Sequence, residues 1–175
     1  MSPERNQERE TVSHPFAPVY DCHSNILILG TITSPKSRET GFYYGHPQNR
    51  MWRVLANVLG EEPPTAQTEK RAFLLRNKIA MWDVLKRCEI SRADDSSIRS
   101  PVPNDLSPIF QKAPIRAVFT TGRRATRLYE QYSMGKSVLL PPIYLPSTSP
   151  ANCRLSLEML VAEYRKGISP FLTTM

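Results

Sequence analysis

The residues whose types and spacing are best suited to chemistry lie in a loop between residues 30 and 52. This loop contains three consecutive aromatic residues, Phe42, Tyr43 and Tyr44. Flat rings stack on nucleobases, and such stacking contributes about 1–3 kcal/mol per base. Asn49 follows shortly after, and its amide donates and accepts hydrogen bonds, so it can orient a water molecule without carrying charge. The combination indicates a slot for a flat base beside a polar group.

Structural roles explain some of the same residues. Phe42 is suited to packing over a hydrophobic core. Asn49 just precedes an amphipathic helical pattern and can cap that helix, which is the more common role for an Asn at such a position. Asp83 ends an apolar run and can serve as a base or as a strand-end cap. The local sequence does not decide between these roles.

Two further segments have the composition of phosphate sites. Residues 120–124 and 147–152 are rich in small polar residues, and each leads from a predicted strand into a predicted helix. Backbone N–H groups at the start of a helix bind phosphate well, and Arg123 adds positive charge. Helix capping by Thr121 and Ser149 is the alternative, because Ser and Thr are common caps.

The elements that must position these segments alternate between strand and helix. Apolar runs predict strands at residues 26–31, 79–83, 115–119 and 142–146, and helical spacing predicts helices at residues 51–59 and 68–77, from Gly122 to Tyr132, and from residue 157 onward. A short helix is predicted after residue 83, ending near residue 88, and residues 91–108 are predicted to be a loop with a helical turn at residues 106–111. The alternation predicts an α/β fold with three layers, α/β/α, and a central, mainly parallel four-stranded sheet. Ligands of such sheets bind beyond the carboxyl ends of the strands, which brings the aromatic loop, Asp83 and both phosphate-like segments to one edge.

Composition and charge narrow the class of protein. A chain of 175 residues with 40% hydrophobic and 22% charged residues is typical of one soluble globular domain. The net charge of +7 favours a polyanionic partner. The sequence has no apolar run of the ~18 residues that span a membrane and no secretory N-terminal pattern, so we expect a cytoplasmic protein.

The N-terminal segment and the cysteines complete these expectations. Residues 1–20 are polar, contain several prolines and show no periodicity, which predicts a flexible N-terminal tail before a single domain at residues 21–175. Cys22, Cys88 and Cys153 are scattered and odd in number, so neither a disulfide framework nor a cysteine metal site is expected. We expect no metal and no cofactor.

The aromatic loop resembles the first motif of the mismatch-specific uracil-DNA glycosylases, which belong to the uracil-DNA glycosylase superfamily. The matching residues, in register from Gly30, are Gly41-Phe42 and then His46-Pro47-x-Asn49-Arg50-x-Trp52. Residues 145–149 resemble the second motif, which precedes a DNA-inserting loop, and residues 117–125 resemble the third-strand segment. The resemblance covers about residues 25–165 and implies a DNA glycosylase.

Departures from that motif point to one branch of the superfamily. Ile32 stands where those enzymes carry an Asn or Asp that positions the attacking water, and Ser147 replaces the Asn or His of the second motif. The chain is therefore more similar to the hypoxanthine-DNA glycosylases, and the resemblance then assigns the catalytic, water-positioning role to Asn49. It implies an enzyme that acts on DNA containing a deaminated base, chiefly hypoxanthine. No lysine stands out as a Schiff-base nucleophile, so we expect a monofunctional enzyme, and we expect a monomer.

The resemblance also implies which residues contact the substrate. Those expected around the flipped base are Tyr44, which would stack on it, and Gly30, Thr31, Ile32 and Phe42. Those expected to contact DNA are Thr121, Gly122, Arg123, Ser147, Thr148, Ser149 and Ala151. Three alternatives stay open: a uracil- or mismatch-specific glycosylase, a non-catalytic DNA-binding relative, and an enzyme acting on free nucleotides.

Overall fold

Two sheets organise the chain in the computed structural model, which describes residues 8–92, 94–135 and 140–172. The strands are β1 (Glu10–Ser13), β2 (Ile26–Gly30), β3 (Ile79–Asp83), β4 (Leu85–Ser91), β5 (Asp94–Pro103), β6 (Ala117–Thr121) and β7 (Pro142–Leu145). The helices are α1 (Pro35–Thr40), α2 (Met51–Leu59), α3 (Gln67–Arg76), α4 (Ser107–Lys112), α5 (Arg123–Tyr132) and α6 (Leu157–Leu172). No helix within these described residues is long and apolar enough to cross a membrane.

The central sheet contains four parallel strands in the order β3-β2-β6-β7. Successive side chains of a strand point to opposite faces, and all five residues of β2 are buried, so both faces of the sheet are covered. Ile26 and Ile28 pack with residues of α2, α3 and α6 on one face. Leu27 and Leu29 pack with α4, α5 and the second sheet on the other. The predicted three-layer α/β fold is confirmed.

The second sheet was not predicted. It is antiparallel, in the order β1-β4-β5, and it replaces the predicted helix after Asp83 and most of the loop predicted at residues 91–108. The β4–β5 pairing contains register shifts, which break the alternation of apolar and polar residues that identifies a strand. β5 itself is rich in Asp, Ser and Pro, which are depleted in strands, so only its pairing with β4 makes it extended. The helical turn predicted near residue 106 is confirmed as α4.

The N-terminal segment is ordered from β1 onward, so the predicted flexible tail at residues 1–20 is wrong for residues 10–20. Residues 1–7 of that tail lie outside the described residues. β1 pairs with β4, and Val19 forms an isolated bridge to Met81 of the central sheet. Val12 and Val19 are buried in the two cores. The segment is short and mostly polar, so its two buried valines leave no periodicity for the sequence to display.

Local backbone geometry shapes the aromatic loop between β2 and α2. α1 lies within this loop. Ser34 caps its amino end by accepting from the Ser37 N–H, and Gly41 caps its carboxyl end. Gly41 has a φ of 84°, a left-handed conformation that glycine adopts without strain. The chain therefore reverses after α1 and returns towards the central sheet before α2 begins at Met51.

Candidate active site

A cavity of about 930 Å³ lies at the carboxyl ends of the central strands. It is bordered by the last residues of β2, β3 and β6 and by the loop that follows β7, as expected for an open parallel sheet. Its lining residues are Gly30–Ser37, Tyr43, Tyr44, His46, Asn49, Asp83, Asp94, Asp95, Thr121 and Ser147–Asn152.

Most of the residues predicted for the site line this cavity. They are Asn49, Tyr44, Gly30, Thr31, Ile32, Thr121, Ser147, Thr148, Ser149 and Ala151. The other three predicted site residues are Phe42, Gly122 and Arg123, and none of them belongs to the lining formed by the described residues. Gly122 nevertheless lies next to the site, since an added side-chain carbon there would contact the Ser147 Cβ at 3.7 Å.

Phe42 packs on the core, which contradicts its predicted contact with the base. Its ring centroid lies 5.4 Å from that of Tyr43 and 5.9 Å from that of Trp52. The buried Trp52 projects from α2 and presents a surface that a neighbouring aromatic ring covers. The structural alternative for Phe42 is therefore the correct one, because α2 supplies an apolar partner.

Tyr44 reaches the cavity through an unusual backbone conformation. Its φ is 52°, in the left-handed region that bulky residues rarely occupy, and such a conformation costs about 1–3 kcal/mol. The surrounding contacts hold it there: the hydroxyl lies 3.3 Å from the Thr121 Oγ1. Burial, followed by the nearby Asp83 carboxylate, raises the Tyr44 pKa above its ordinary value, so the phenol stays neutral.

Asn49 combines a structural role with a place in the cavity. Its Oδ1 accepts hydrogen bonds from the Met51 backbone N–H and from the Thr148 hydroxyl, both at 2.9 Å. The Met51 N–H can only donate, so it determines which end of the amide is the oxygen. Two protein donors occupy the two lone pairs of this oxygen. The Nδ2 group is therefore the part of Asn49 that can bind a ligand, and it does so as a donor.

Arg50 connects the Asn49 segment to the loop after β7. Its guanidinium donates to the backbone carbonyls of Leu155 at 2.5 Å, Asn152 at 2.8 Å and Ser149 at 3.1 Å. Its backbone N–H donates to the Thr148 carbonyl at 3.1 Å. Arg50 belongs to the first motif, but the sequence does not predict it as a site residue. Its role as an anchor depends on the contact between two loops that are far apart in the chain.

The edge of the cavity between β2 and β3 is formed by Gly30 and Asp83, which are paired in the parallel register. A side-chain carbon at Gly30 would lie 2.5 Å from the Asp83 Oδ1 and 3.2 Å from the Tyr44 hydroxyl, so a larger residue would displace one of them. Asp83 is buried, and its Oδ2 lies 2.6 Å from the Nε2 of His14. His14 was missed because it lies in the segment predicted to be a tail.

The tip of the second sheet adds two more carboxylates. Asp94 and Asp95, at the start of β5, line the cavity within a segment that was predicted to be a loop. Loss of solvation, followed by the charges of Asp83 and Asp94, raises the pKa of Asp95, although a hydrogen bond with Thr31 and the charge of Arg124 oppose the rise. Carboxylates therefore lie at the rim of the cavity as well as in its wall.

The two phosphate-like segments are adjacent, but internal hydrogen bonds occupy several of their N–H groups. The Gly122 N–H donates to the Leu145 carbonyl at 2.8 Å. In the loop after β7, the N–H groups of Ser149 and Ala151 donate to the hydroxyls of Ser147 and Ser149, both at 3.2 Å. Phosphate binding here would therefore depend on side chains more than the sequence suggested.

The residues predicted to contact DNA differ in exposure, and Thr121 and Thr148 are buried. Arg123, the first residue of α5, is exposed, and so is Ala151. The Thr121 hydroxyl donates to the Leu29 carbonyl at 3.4 Å. The N-cap residue of α5 is Gly122, without a side-chain cap bond, so Thr121 does not cap this helix. The described residues include no group of three or more His, Cys, Asp or Glu side chains arranged to hold a metal ion.

Comparisons with known proteins agree with this architecture. The family model described as the Uracil DNA glycosylase superfamily matches residues 17–166. A protein of Methanosarcina acetivorans named Hypoxanthine DNA glycosylase is 35% identical over 143 residues, or 81% of this chain and 89% of the relative. One of the same name from Methanosarcina barkeri is 35% identical over 112 residues, or 63% of this chain and 71% of the relative.

A solved structure shares the same fold. The solution NMR structure of a proposed uracil DNA glycosylase from Methanosarcina acetivorans has a TM-score of 0.74 and 32% sequence identity, covering 90% of this chain and 98% of that chain. The family match spans every segment that lines the cavity, from Gly30 to Asn152. The resemblance inferred from the first motif is therefore confirmed, and this chain belongs to the uracil DNA glycosylase superfamily.

Proposed function

We propose that this protein is a DNA glycosylase that hydrolyses the N-glycosidic bond of deoxyinosine after flipping the nucleotide into the cavity. The observation that carries the proposal is the Asn49 amide, held in the cavity by Met51 and Thr148 with its Nδ2 group available for a ligand. Ile32 lines the same cavity, and its side chain can supply no hydrogen bond. Relatives of this chain carry the name Hypoxanthine DNA glycosylase.

The proposed reaction follows a dissociative route. Cleavage of the bond gives an oxocarbenium-like sugar and an anionic base, and preorganised hydrogen bonds stabilise such charge without a strong general base. Asn49 holds the attacking water through a hydrogen bond from Nδ2 to the water oxygen. Tyr44 stacks on the base, and the neutral phenol adds no negative charge beside the departing anion.

Selectivity has two physical sources in this proposal. Hypoxanthine departs as an anion more readily than adenine, because its 6-oxo group delocalises the charge. Extrusion of a mispaired or damaged base also costs less than extrusion of a paired one. Both effects favour deaminated bases before any contact with the protein is made.

Hydrolysis without a Schiff base is the expected outcome. Lys36 lies in the cavity lining, but its Nζ pairs with the Glu39 carboxylate at 3.1 Å on the exposed side of α1. A protonated, ion-paired amine is a poor nucleophile. Borohydride reduction during turnover should therefore trap no protein–DNA adduct. Any trapped adduct would refute the monofunctional assignment, and its loss in Lys36→Ala would identify Lys36 as the amine.

Single-turnover cleavage of labelled duplexes tests the assignment of Asn49. Asn49→Ala should lower the rate on deoxyinosine about 10²–10³-fold, as expected for loss of one preorganised donor. Asn49→Asp keeps an oxygen for Met51 and Thr148 but loses the N–H donors, so we expect a similar loss. Wild-type rates in Asn49→Ala, or an active Asn49→Asp, would show that Asn49 does not position the water by donation.

The same assay compares bases, because one structural relative is described as a proposed uracil DNA glycosylase. Faster cleavage of deoxyuridine than of deoxyinosine would assign the protein to uracil repair. Tight, salt-sensitive binding without cleavage of any lesion would indicate a non-catalytic relative.

We further propose that the protein acts as a single-domain monomer in the cytoplasm, and sedimentation with and without a duplex measures its oligomeric state.

A further inference from the structure

The three carboxylates that line the cavity lie at two different depths. Asp83 is buried in the wall. The exposed residues of the lining form the mouth of the cavity, and they include His46, Asp94, Asp95 and Ala151. A flipped nucleotide places its base in the interior and its sugar at the mouth, because the sugar stays attached to the DNA backbone outside. The tip of the β4–β5 hairpin therefore borders the sugar.

Asp94 and Asp95 have different contacts at this tip. The Oδ1 of Asp94 accepts hydrogen bonds from the Ser96 N–H at 2.9 Å and from the Ser96 hydroxyl at 2.7 Å, so this side chain stabilises the turn. The hydroxyl of Thr31, which follows β2, donates to the Asp95 carboxylate. Within the described residues, no Lys, Arg or His side chain forms an ion pair with Asp95. Asp95 is thus a negative charge held in place by a neutral donor.

The surroundings of the Asp95 carboxylate disfavour its negative charge. Although the residue as a whole is exposed, the carboxylate loses solvation beside Thr31, and this loss, followed by the charges of Asp83 and Asp94, raises its pKa. A positive charge arriving at the mouth would relieve this repulsion. Intact DNA brings only the negative charge of its phosphates, which the carboxylate repels. Asp95 therefore disfavours binding of the intact substrate.

We propose that Asp95 stabilises the positive charge that develops on the deoxyribose as the N-glycosidic bond breaks. This inference rests on the proposed function and adds to its mechanism a residue outside the motif from Gly30 to Trp52. When the bond breaks, its electron pair leaves with the base and the sugar becomes oxocarbenium-like. The sugar of the intact nucleotide is uncharged, so the attraction exists mainly in the transition state, where it accelerates the reaction.

The second sheet thereby contributes to the chemistry of the site. Ile32 lines the cavity next to Thr31 with an apolar side chain, so the segment that follows β2 supplies no carboxylate of its own there. The β4–β5 hairpin brings Asp95 to this segment, and the hydrogen bond with Thr31 fixes the carboxylate before the substrate arrives. A charge held in this way requires little reorganisation when the cation forms.

The first test separates the intact substrate from the transition state. Asp95→Asn keeps an oxygen that can accept from Thr31 but removes the charge. Single-turnover cleavage of deoxyinosine should fall about ten- to hundredfold. Affinity for a duplex with a non-cleavable 2′-fluoroarabino deoxyinosine should stay equal or rise, because a charge that repels phosphate is lost. A normal cleavage rate, or slower cleavage together with weaker binding, would overturn the inference.

Sugar analogues measure the attraction to the cation directly. One duplex carries a pyrrolidine ring, whose protonated nitrogen replaces the sugar oxygen, and another carries a neutral tetrahydrofuran ring. The wild type should bind the pyrrolidine duplex more tightly, and the ratio of the two affinities should fall about tenfold in Asp95→Asn. Asp95→Glu keeps the charge and should retain part of the ratio. If Asp95 acted instead as a general base, Asp95→Asn would cleave slowly with an unchanged ratio, which would refute the inference.

Glu89→Gln is the matched control, because it removes one negative charge from β4 outside the cavity lining. It should change neither the cleavage rate nor the ratio, and losses equal to those of Asp95→Asn would assign the effect to net charge and contradict the proposal. Equal wild-type affinities for the two analogues would refute it even if Asp95→Asn fails to fold. Cleavage of deoxyinosine with equal affinities would leave the proposed function intact, whereas no cleavage of deoxyinosine by the wild type would refute both.

Discussion

Asn49 combines a structural role with the chemical role proposed for it, through different atoms of one amide. Its oxygen accepts hydrogen bonds from the Met51 N–H at the start of α2 and from the Thr148 hydroxyl. The amide therefore has a defined orientation before any ligand arrives. A preorganised donor costs no reorganisation when charge develops, which is why such groups contribute strongly to catalysis. The two interpretations that the sequence left open for Asn49 are therefore compatible, since they use different atoms of the amide.

Tyr44 is the residue expected to stack on the base. Tyr44→Phe should retain single-turnover cleavage of deoxyinosine within a few-fold, because it loses only the contact with Thr121 and keeps the ring. Tyr44→Asn should lower cleavage about 10–100-fold, since stacking contributes about 1–3 kcal/mol and Asn tolerates the left-handed backbone.

Phe42→Leu is the matched control for Tyr44, since Phe42 packs against Trp52 in the core. It should lower the melting temperature while the cleavage rate stays near that of the wild type. A large rate loss in Phe42→Leu, or a normal rate in Tyr44→Asn, would contradict this division of roles.

At the scale of elements, the site depends on contacts between two loops that are far apart in the chain. The segment before α2 and the loop after β7 are joined by Arg50, by the Asn49–Thr148 hydrogen bond and by the backbone bond from Arg50 to Thr148. Each loop contains little helix or strand, so its conformation depends on contacts with other parts of the chain. Their mutual hydrogen bonds replace the packing that a helix or strand would supply.

Arg50→Lys should therefore destabilise the protein despite the retained charge. One ammonium group cannot reproduce the planar fork that reaches the carbonyls of Ser149, Asn152 and Leu155. We expect a loss of about 1.5–3 kcal/mol in the free energy of unfolding, measured with urea, and a lower cleavage rate. Arg53→Lys, on the exposed face of α2, is the control and should change neither. Equal stability of Arg50→Lys and the wild type would show that the loop does not depend on this anchor.

At the scale of the whole molecule, the charge of +7 is not uniformly distributed around the cavity. Asp83, Asp94 and Asp95 line it and outnumber Lys36, which lies in the same lining, so most of the attraction to the DNA backbone must come from basic side chains outside the lining. Arg123 at the start of α5 is exposed beside the site, where the helix dipole also favours phosphate. This arrangement suits a polyanion that crosses the mouth while one uncharged base enters.

Arg123→Ala should weaken binding to damaged and undamaged duplexes by a similar factor, because phosphate contacts carry no sequence information. The slope of log affinity against log salt concentration should become shallower by about one unit. Arg116→Gln is the control, since Arg116 precedes the amino end of β6, at the opposite edge of the sheet, and Gln can still donate to the Phe171 carbonyl. If both variants lose the same affinity, the DNA surface is not where the cavity lies.

The central sheet, the family and most of the segments that line the cavity could be predicted from the sequence alone. β2 and β3 are continuous apolar runs that end at Gly30 and Asp83, and such runs are interpretable without knowledge of their neighbours. The residues of the motif from Gly30 to Trp52 lie in one continuous loop and the start of α2, so their spacing can be recognised from the sequence alone. These signals are local, so the chain displays them before it folds.

The second sheet and the pairing of His14 with Asp83 are evident only in the folded chain. β5 has the composition of a loop and becomes a strand because β4 offers it hydrogen bonds. His14 lies 69 positions before Asp83 in the chain, and nothing near either residue indicates the other. The physical reason differs between the two. His14 and β1 find their partners, Asp83 and β4, far along the chain, whereas β4 and β5 are neighbours whose register shifts remove the alternation that identifies strands in a sequence.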